Sequence, residues 1–225
     1  LTRTAGTHGS AIKQGVCKMK KLCIYHANCA DGFGAAWVVR RALGEENAEF
    51  YRGKHGDLPP DCTGRDVIIV DFSYKRDVML TLAEEANSVL VIDHHKTAEE
   101  SLVDLPANVE CHFDMNHSGA MLTWIHCFPN EDPPALLKHI EDRDLWRFEL
   151  SGTRAIQASL FSYPYDFGVW DDLMKTGVGI LEYEGQVLER KHFKDIGELL
   201  KVTKRIMIIG GHEVEVANLP YTMSS

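Results

Sequence analysis

Three short apolar runs punctuate the first half of the chain: Leu22-Cys23-Ile24-Tyr25, Val67-Ile68-Ile69-Val70 and Val89-Leu90-Val91-Ile92. Each is too short for a core helix, and β-branched residues dominate the second and third, so each predicts a strand buried on both faces. Segments of helical character alternate with them. Ala35 to Leu43 is rich in helix formers and stops at Gly44, which suits a C′ position, and residues 75 to 87 predict a second helix. Glu49-Phe50-Tyr51 reads as a short strand, Gly53 to Gly64 as a loop rich in Gly and Pro, and Asn108 to Phe113 as a further strand. Helices follow from Ser118 through Trp124 to about Cys127, and from Pro134 to Glu141. Strands alternating with helices imply an α/β fold, a parallel β-sheet flanked by helices with right-handed crossovers. Residues 19–168 hold that unit, and the charge-rich stretch 169–204 predicts a helical connector. The segment 205–225 opens with an alternating pattern around Gly210-Gly211, a β-hairpin that begins a second, incomplete C-terminal domain.

The polar residues at the strand ends change the picture. The first run leads into His26 and then Asp31, the second into Asp71, and the third into Asp93-His94-His95. A lone Asp after a strand is commonly a helix cap or turn former, and Asp71 taken singly, followed by Phe72-Ser73 and a helix, fits a cap. The three ends together do not. In an open α/β sheet, ligands bind outside the carboxyl ends of the strands, and that is where this pattern gathers imidazoles and carboxylates. Their types, without a thiolate set, suit Mn²⁺ or a similar octahedral ion better than structural zinc. A central carboxylate such as Asp71 can bridge two such ions roughly 4 Å apart, a pair suited to hydrolysing phosphoesters or phosphoanhydrides.

Composition sets limits on partners. The chain has 225 residues, 44% hydrophobic and 25% charged, with a net charge of −9. That charge argues against binding long duplex nucleic acid. No apolar run approaches a membrane span. Six cysteines without CxxC spacing fit reduced thiols and a cytoplasmic location. Residues 1–18 carry no periodicity and much Gly, Thr and Ser, so they read as a leader, disordered or non-native, ahead of Met19. Two basic residues and no acid before Lys18 leave an organellar presequence open.

Four motifs in order, His26-Ala27-Asn28-Cys29-Ala30-Asp31-Gly32, Val70-Asp71, Asp93-His94-His95 and Glu141-Asp142-Arg143-Asp144, resemble those of the DHH phosphoesterase superfamily over roughly residues 19 to 220. That superfamily includes single-strand exonucleases, oligoribonucleases, cyclic-nucleotide and cyclic-dinucleotide phosphodiesterases, and manganese pyrophosphatases. The wording of the motifs is most similar to the oligoribonuclease or cyclic-nucleotide phosphodiesterase branch. The resemblance implies a catalytic DHH domain over 19–168 followed by a substrate-binding domain. It implies two Mn²⁺ ions, with Mg²⁺ or Co²⁺ as substitutes, and a short RNA or DNA oligonucleotide or small nucleotide as substrate. It also allows a homodimer. By the same resemblance His26, Asp31, Asp71, His94 and Asp142 hold metal, Asp71 as the bridge, while His95 contacts the scissile phosphate and is catalytic together with Asp71.

Further substrate contacts are expected from Lys96, Arg143 and Ser118. Lys96 and Arg143, like Arg147, fit either phosphate neutralisation or a solvated surface, and Ser118 fits either a plain N-cap or a hydroxyl beside a phosphate-binding helix terminus. Tyr163 and Tyr165 fit base stacking or packing on the next helix. Two features depart from the family. Cys29, with Asn28 beside it, stands where the first motif carries an aspartate two before Asp31; Cys29 is a ligand or a small residue in a tight loop. Gly210-Gly211-His212 resembles the family's glycine-rich C-terminal motif but lies in a hairpin turn. A pyrophosphatase-like phosphoanhydride hydrolase and a non-catalytic nucleotide-binding protein with a decayed site are the alternative readings. The first would need a Lys/Arg cluster that the chain does not show, and the second follows from Cys29 and the incomplete C-terminal domain.

Overall fold

The computed structural model describes residues 19–219, so the expected leader lies outside the described residues, as do the last residues, 220–225. β1 (Lys21–His26), β2 (Ala48–Gly53), β3 (Asp66–Val70), β4 (Ser88–Asp93) and β5 (Val109–Phe113) form one parallel sheet in the order β2-β1-β3-β4-β5. Helices lie on both faces. The three apolar runs supply the central strands, and their residues divide by the two-residue period of a strand. Cys23, Tyr25, Val70 and Ile92 face one core, with Phe33, Trp37, Trp124, Leu137 and Ile140 of α1 (Ala30–Leu43), α4 (Gly119–Cys127) and α5 (Ala135–Asp144). Leu22, Ile24, Ile69 and Val91 face the other, with Met79 and Leu82 of α2 (Arg76–Glu85) and with Leu102, just after the short α3 (Lys96–Ser101). Each fully buried Leu or Ile contributes roughly 1.5–3 kcal/mol, which is why both faces of these strands are apolar.

The strand order reverses between β1 and β3, whose carboxyl ends deliver His26 and Asp71. Such a switch point opens a crevice, because the connections leave in opposite directions.

The first unit extends past the expected boundary at 168. α6 (Thr153–Leu160) and α7 (Phe167–Thr176) complete the first core, where Trp170 is fully buried against Phe33. Gly177, at φ 86, breaks the expected connector, and α8 (Val178–Thr203) buries only Leu181 and Gly185 near its start. Beyond it β6 (Arg205–Ile209) and β7 (His212–Val216) make the expected antiparallel hairpin, turning at Gly210 and Gly211 with φ 59 and 85. Tyr165 packs on Phe33 and Trp170, and the Tyr163 hydroxyl donates to Glu184, so both tyrosines serve packing.

Candidate metal centre

Asp71 sits at the middle of the crevice. It is 2% exposed and adopts φ 52, left-handed backbone that Asp tolerates better than most residues but that still costs about 1–3 kcal/mol. The bond from its N–H to Ile92 O holds it there. Gly119, the first residue of α4, lies directly against it: a Cβ on Gly119 would stand 2.4 Å from Asp71 Cβ. Asp71 Oδ1 meets His94 Nε2 at 3.1 Å, and Oδ2 stands 3.5 Å from His26 Nδ1. Oδ2 is buried without a hydrogen bond, an orphaned anionic oxygen of the kind that needs a cation or a donor.

α1 begins at Ala30, earlier than expected, so Asp31 falls in its first turn and turns inward. The Asp31 carboxylate accepts the N–H groups of Gly119 (2.6 Å) and Ala120 (3.0 Å), buried donors at the start of α4 that have no partner within the helix. Ser118 is the fully buried N-cap of α4, its oxygen accepting from Met121 N. The α4 terminus is therefore filled by Asp31, and the reading of Ser118 as a phosphate contact gives way to that of a cap beside a ligand.

At the end of β4 the three polar residues divide their tasks. Asp93 is fully buried: Oδ1 accepts from His94 N and faces His95 Nδ1 at 2.6 Å, and Oδ2 accepts from the Ser73 hydroxyl at 2.6 Å. Its oxygens are thus occupied in orienting the two histidines. His94 Nε2 lies 3.6 Å from Asp144 Oδ2 and 3.8 Å from Asp31 Oδ2, in addition to Asp71. His95 is half-exposed, and Asp93 leaves its Nε2 directed away from that carboxylate.

Asp144, not Asp142, closes the site. α5 continues three residues beyond Glu141, so both aspartates are helical, and two positions apart they differ by about 200° around the axis. Asp142 turns away from the crevice, accepting from Glu149 N (2.8 Å), Leu150 N (3.1 Å) and the Thr153 hydroxyl (2.5 Å). It fixes the loop into α6. Asp144 points the other way, at His94. The period of the helix carried this information; the end of the helix did not appear in the pattern.

Ligand atoms that lie within 4.8 Å of one another fall into three sets: Asp31, His94 and Asp144; His26, Cys29 and Asp71; and Asp71, Asp93, His94 and His95. Asp71 and His94 each belong to two of the sets, and each set could hold a metal ion. Cys29, also the N-cap position of α1, has its thiol within reach of one of these sets. Burial and then the Asp71 charge push its thiol up to about 12. Burial, then the charges of Asp71 and Asp144, raises the Asp31 carboxyl well above its usual range. Burial and the Asp71 charge raise Asp144 too. Burial pushes Asp71 the same way, but the neighbouring His26 and His94 imidazoles prevail and hold it low. His94 is raised because its bond to Asp71 outweighs burial, and His95 is raised by its bond to Asp93. A divalent ion relieves such crowding of carboxylates.

The remaining expected contacts stand apart from these sets. Lys96 is exposed and pairs with Glu100, and the Arg143 guanidinium lies over the Phe161 ring. Arg147 donates to Asn116 O. Among the described residues the five cysteines are free thiols, and no helix is long and apolar enough to cross a membrane.

No family model matches the chain. It is 30% identical over 172 residues to an uncharacterized protein of Acanthamoeba polyphaga mimivirus, an alignment that covers 69% of this chain and 40% of the viral protein. The chain thus spans less than half the length of that relative. An uncharacterized protein from Helicobacter pylori G27, known from a crystal structure, shares the fold at a TM-score of 0.50 and 12% identity, over 81% of this chain and 58% of that one.

The two aspartates of α5 should separate on mutation. Asp142→Ala removes three hydrogen bonds from a buried carboxylate, so denaturant unfolding should show a loss of about 2–4 kcal/mol with Mn²⁺ affinity little changed. Asp144→Asn should weaken Mn²⁺ binding by calorimetry at least about 10-fold, without destabilising the metal-free protein, because it removes a repelling charge.

The raised groups Asp31, Asp144, His94 and His95 bind protons more tightly folded than unfolded. Their contribution to metal-free stability is present at low pH and lost as pH rises through the folded values. Mn²⁺ competes with those protons, so the rise in Tm on adding Mn²⁺ should grow from pH 5.5 to pH 8 in a thermal-shift series. An increment independent of pH would contradict this linkage.

Proposed function

We propose that this protein is a metal-dependent phosphodiesterase of the DHH phosphoesterase kind, using Mn²⁺ to hydrolyse short oligonucleotides or small nucleotides. The observation that carries the reading is the convergence of His26, Asp31, Asp71, His94 and Asp144 on one switch-point crevice, with Asp71 common to two of the three donor sets. The order of the motifs along the chain, with the resemblance they bear, supports it. Asp31, Asp71, His94 and Asp144 offer oxygen and imidazole donors that suit Mn²⁺. A pair of divalent ions held by these sets supplies a water of lowered pKa and a clamp for phosphoryl oxygens.

The chain's own residues do the rest. Asp71, locked by Ile92 O and by the close approach of Gly119, presents a fixed carboxylate to both sets. The α4 amides hold Asp31 in one orientation. Asp93 accepts the Nδ1 proton of His95 and fixes the ring, and the protonated ring can then donate from Nε2 to a phosphoryl oxygen. Such preorganised donors, aimed where charge develops, commonly change rates by 10²–10³.

A panel of dinucleotides, a five-residue RNA, cyclic nucleotides and pyrophosphate, each with Mn²⁺, tests the reading. Release of mononucleotides from the dinucleotides or RNA, or opening of the cyclic phosphate, is expected; turnover of pyrophosphate alone points to the phosphoanhydride alternative. Asp71→Asn should lower kcat by more than about 10²-fold while the circular dichroism spectrum and unfolding midpoint remain those of a folded protein.

The His26–Cys29–Asp71 set contains a thiol where a hard carboxylate would suit Mn²⁺ better. Cys29→Asp should tighten Mn²⁺ at that position several-fold by calorimetry and lower the relative preference for Zn²⁺. Weaker Mn²⁺ binding would mean that the thiol is a required ligand.

A further inference from the structure

A second imidazole at the crevice is prepared as His95 is. His117 Nδ1 lies 2.7 Å from Glu141 Oε1, against 2.6 Å for His95 Nδ1 and Asp93 Oδ1. Glu141 is 13% exposed at its side chain and His117 36%, so a largely buried carboxylate fixes a ring whose other edge is open. No partner holds His117 Nε2 among the described residues.

The position of this pair follows from the elements that carry it. His117 immediately precedes the Ser118 cap of α4, whose next two N–H groups hold Asp31 and whose first residue lies on Asp71. Glu141 stands three residues before Asp144 in α5, so the two carboxylates share a helix face. Ser118 N donates to the same Glu141 oxygen at 3.4 Å, and Arg147, just beyond Asp144, donates to Asn116 O at 2.6 Å. The turn that bears His117 is thus tied to the segment that bears Asp144.

We infer that His117, oriented by Glu141, is a second substrate-contacting residue of this site, its Nε2 donating a hydrogen bond to a phosphoryl or leaving oxygen of the bound phosphoester. The inference rests on the phosphoesterase reading above. Two carboxylate-fixed imidazoles then approach one phosphate, one from the sheet edge and one from the α4 turn. With Nδ1–H held by Glu141, the protonated ring donates from Nε2; where that proton is transferred it passes to the oxygen leaving phosphorus, the ring becomes neutral, and the proton is replaced from water. Glu141 is a positioning residue: its carboxylate accepts the Nδ1 proton, fixes the ring and balances the charge of the protonated imidazole.

The test uses the whole chain loaded with Mn²⁺. His117→Ala should lower kcat/KM on the substrate found in the panel by about 10²-fold while Mn²⁺ affinity and the unfolding midpoint stay at wild-type values. His117→Gln, which keeps an N–H near the position of Nε2, should recover part of that loss. Glu141→Gln should lower kcat more than it raises KM. A kcat/KM within twofold of wild type for His117→Ala, or a loss that tracks weakened Mn²⁺ binding, overturns the inference. If the wild-type protein hydrolyses no member of the panel, the phosphoesterase reading has failed, and inorganic phosphate decides the contact separately. With ¹⁵N-labelled histidine, a phosphate-induced shift of the His117 Nε2 resonance that is lost in Glu141→Gln supports it, and the absence of a shift overturns it.

Discussion

The crowding of carboxylates around His94 is the constraint on which the rest of the site depends. Oxygens of Asp71, Asp144 and Asp31 lie 3.1, 3.6 and 3.8 Å from a single imidazole nitrogen, and two of these aspartates are almost fully buried. Like charges so close, and withdrawn from water, repel strongly. The fold offsets this with what is at hand: the first amides of α4 on Asp31, the histidines on Asp71, and a left-handed backbone at Asp71 that points its carboxylate into the gap. One Asp71 oxygen remains without a hydrogen bond. A fold selected for stability alone would replace such a cluster by apolar residues. The donors of the cluster can hold a metal ion, whose charge would offset that repulsion.

The framework around that cluster was legible because its signals are strong. Apolar runs of four residues, interrupted by helical segments, identify β1, β3 and β4, and a parallel sheet requires their carboxyl ends to lie together. His26, Asp71 and His94 follow from that alone. The signals failed where side-chain direction depends on where a helix starts or stops. Starting α1 at Ala35 rather than Ala30 hides Asp31 as a first-turn residue that caps another helix, and stopping α5 at Glu141 leaves no reason to prefer Asp144 over Asp142. Extending α5 by three residues separates them at once, since the helix sends them to opposite faces. Ser118 was legible as a cap, but the ligand at its helix terminus comes from a residue 88 positions away, which no local pattern encodes. α3, six residues long, buries none of its residues, and α6 spans only eight. The boundary at 168 failed for a related reason: Trp170 and Leu181 complete the first core from beyond the expected end of that domain.

The same geometry holds two histidine rings in place through buried or half-buried carboxylates. Asp93 and Glu141 bind no substrate in this account. Each accepts from the Nδ1 of one histidine, and a ring held through Nδ1 has its Nε2 aimed before any ligand arrives. Outer carboxylates of this type typically change affinity or activity by 10–100-fold although they touch neither metal nor substrate. Asp142 plays a comparable part for backbone, setting the loop that follows Asp144.

The most direct measurement of the central claim is anomalous diffraction from crystals of the protein grown with Mn²⁺. The account predicts two peaks in the crevice between the ends of β1 and β4, with Asp71 between them, Asp31, His94 and Asp144 around one, and His26 and Cys29 beside the other. Peaks that lie away from Asp71, or coordination by Asp142 in place of Asp144, would contradict it.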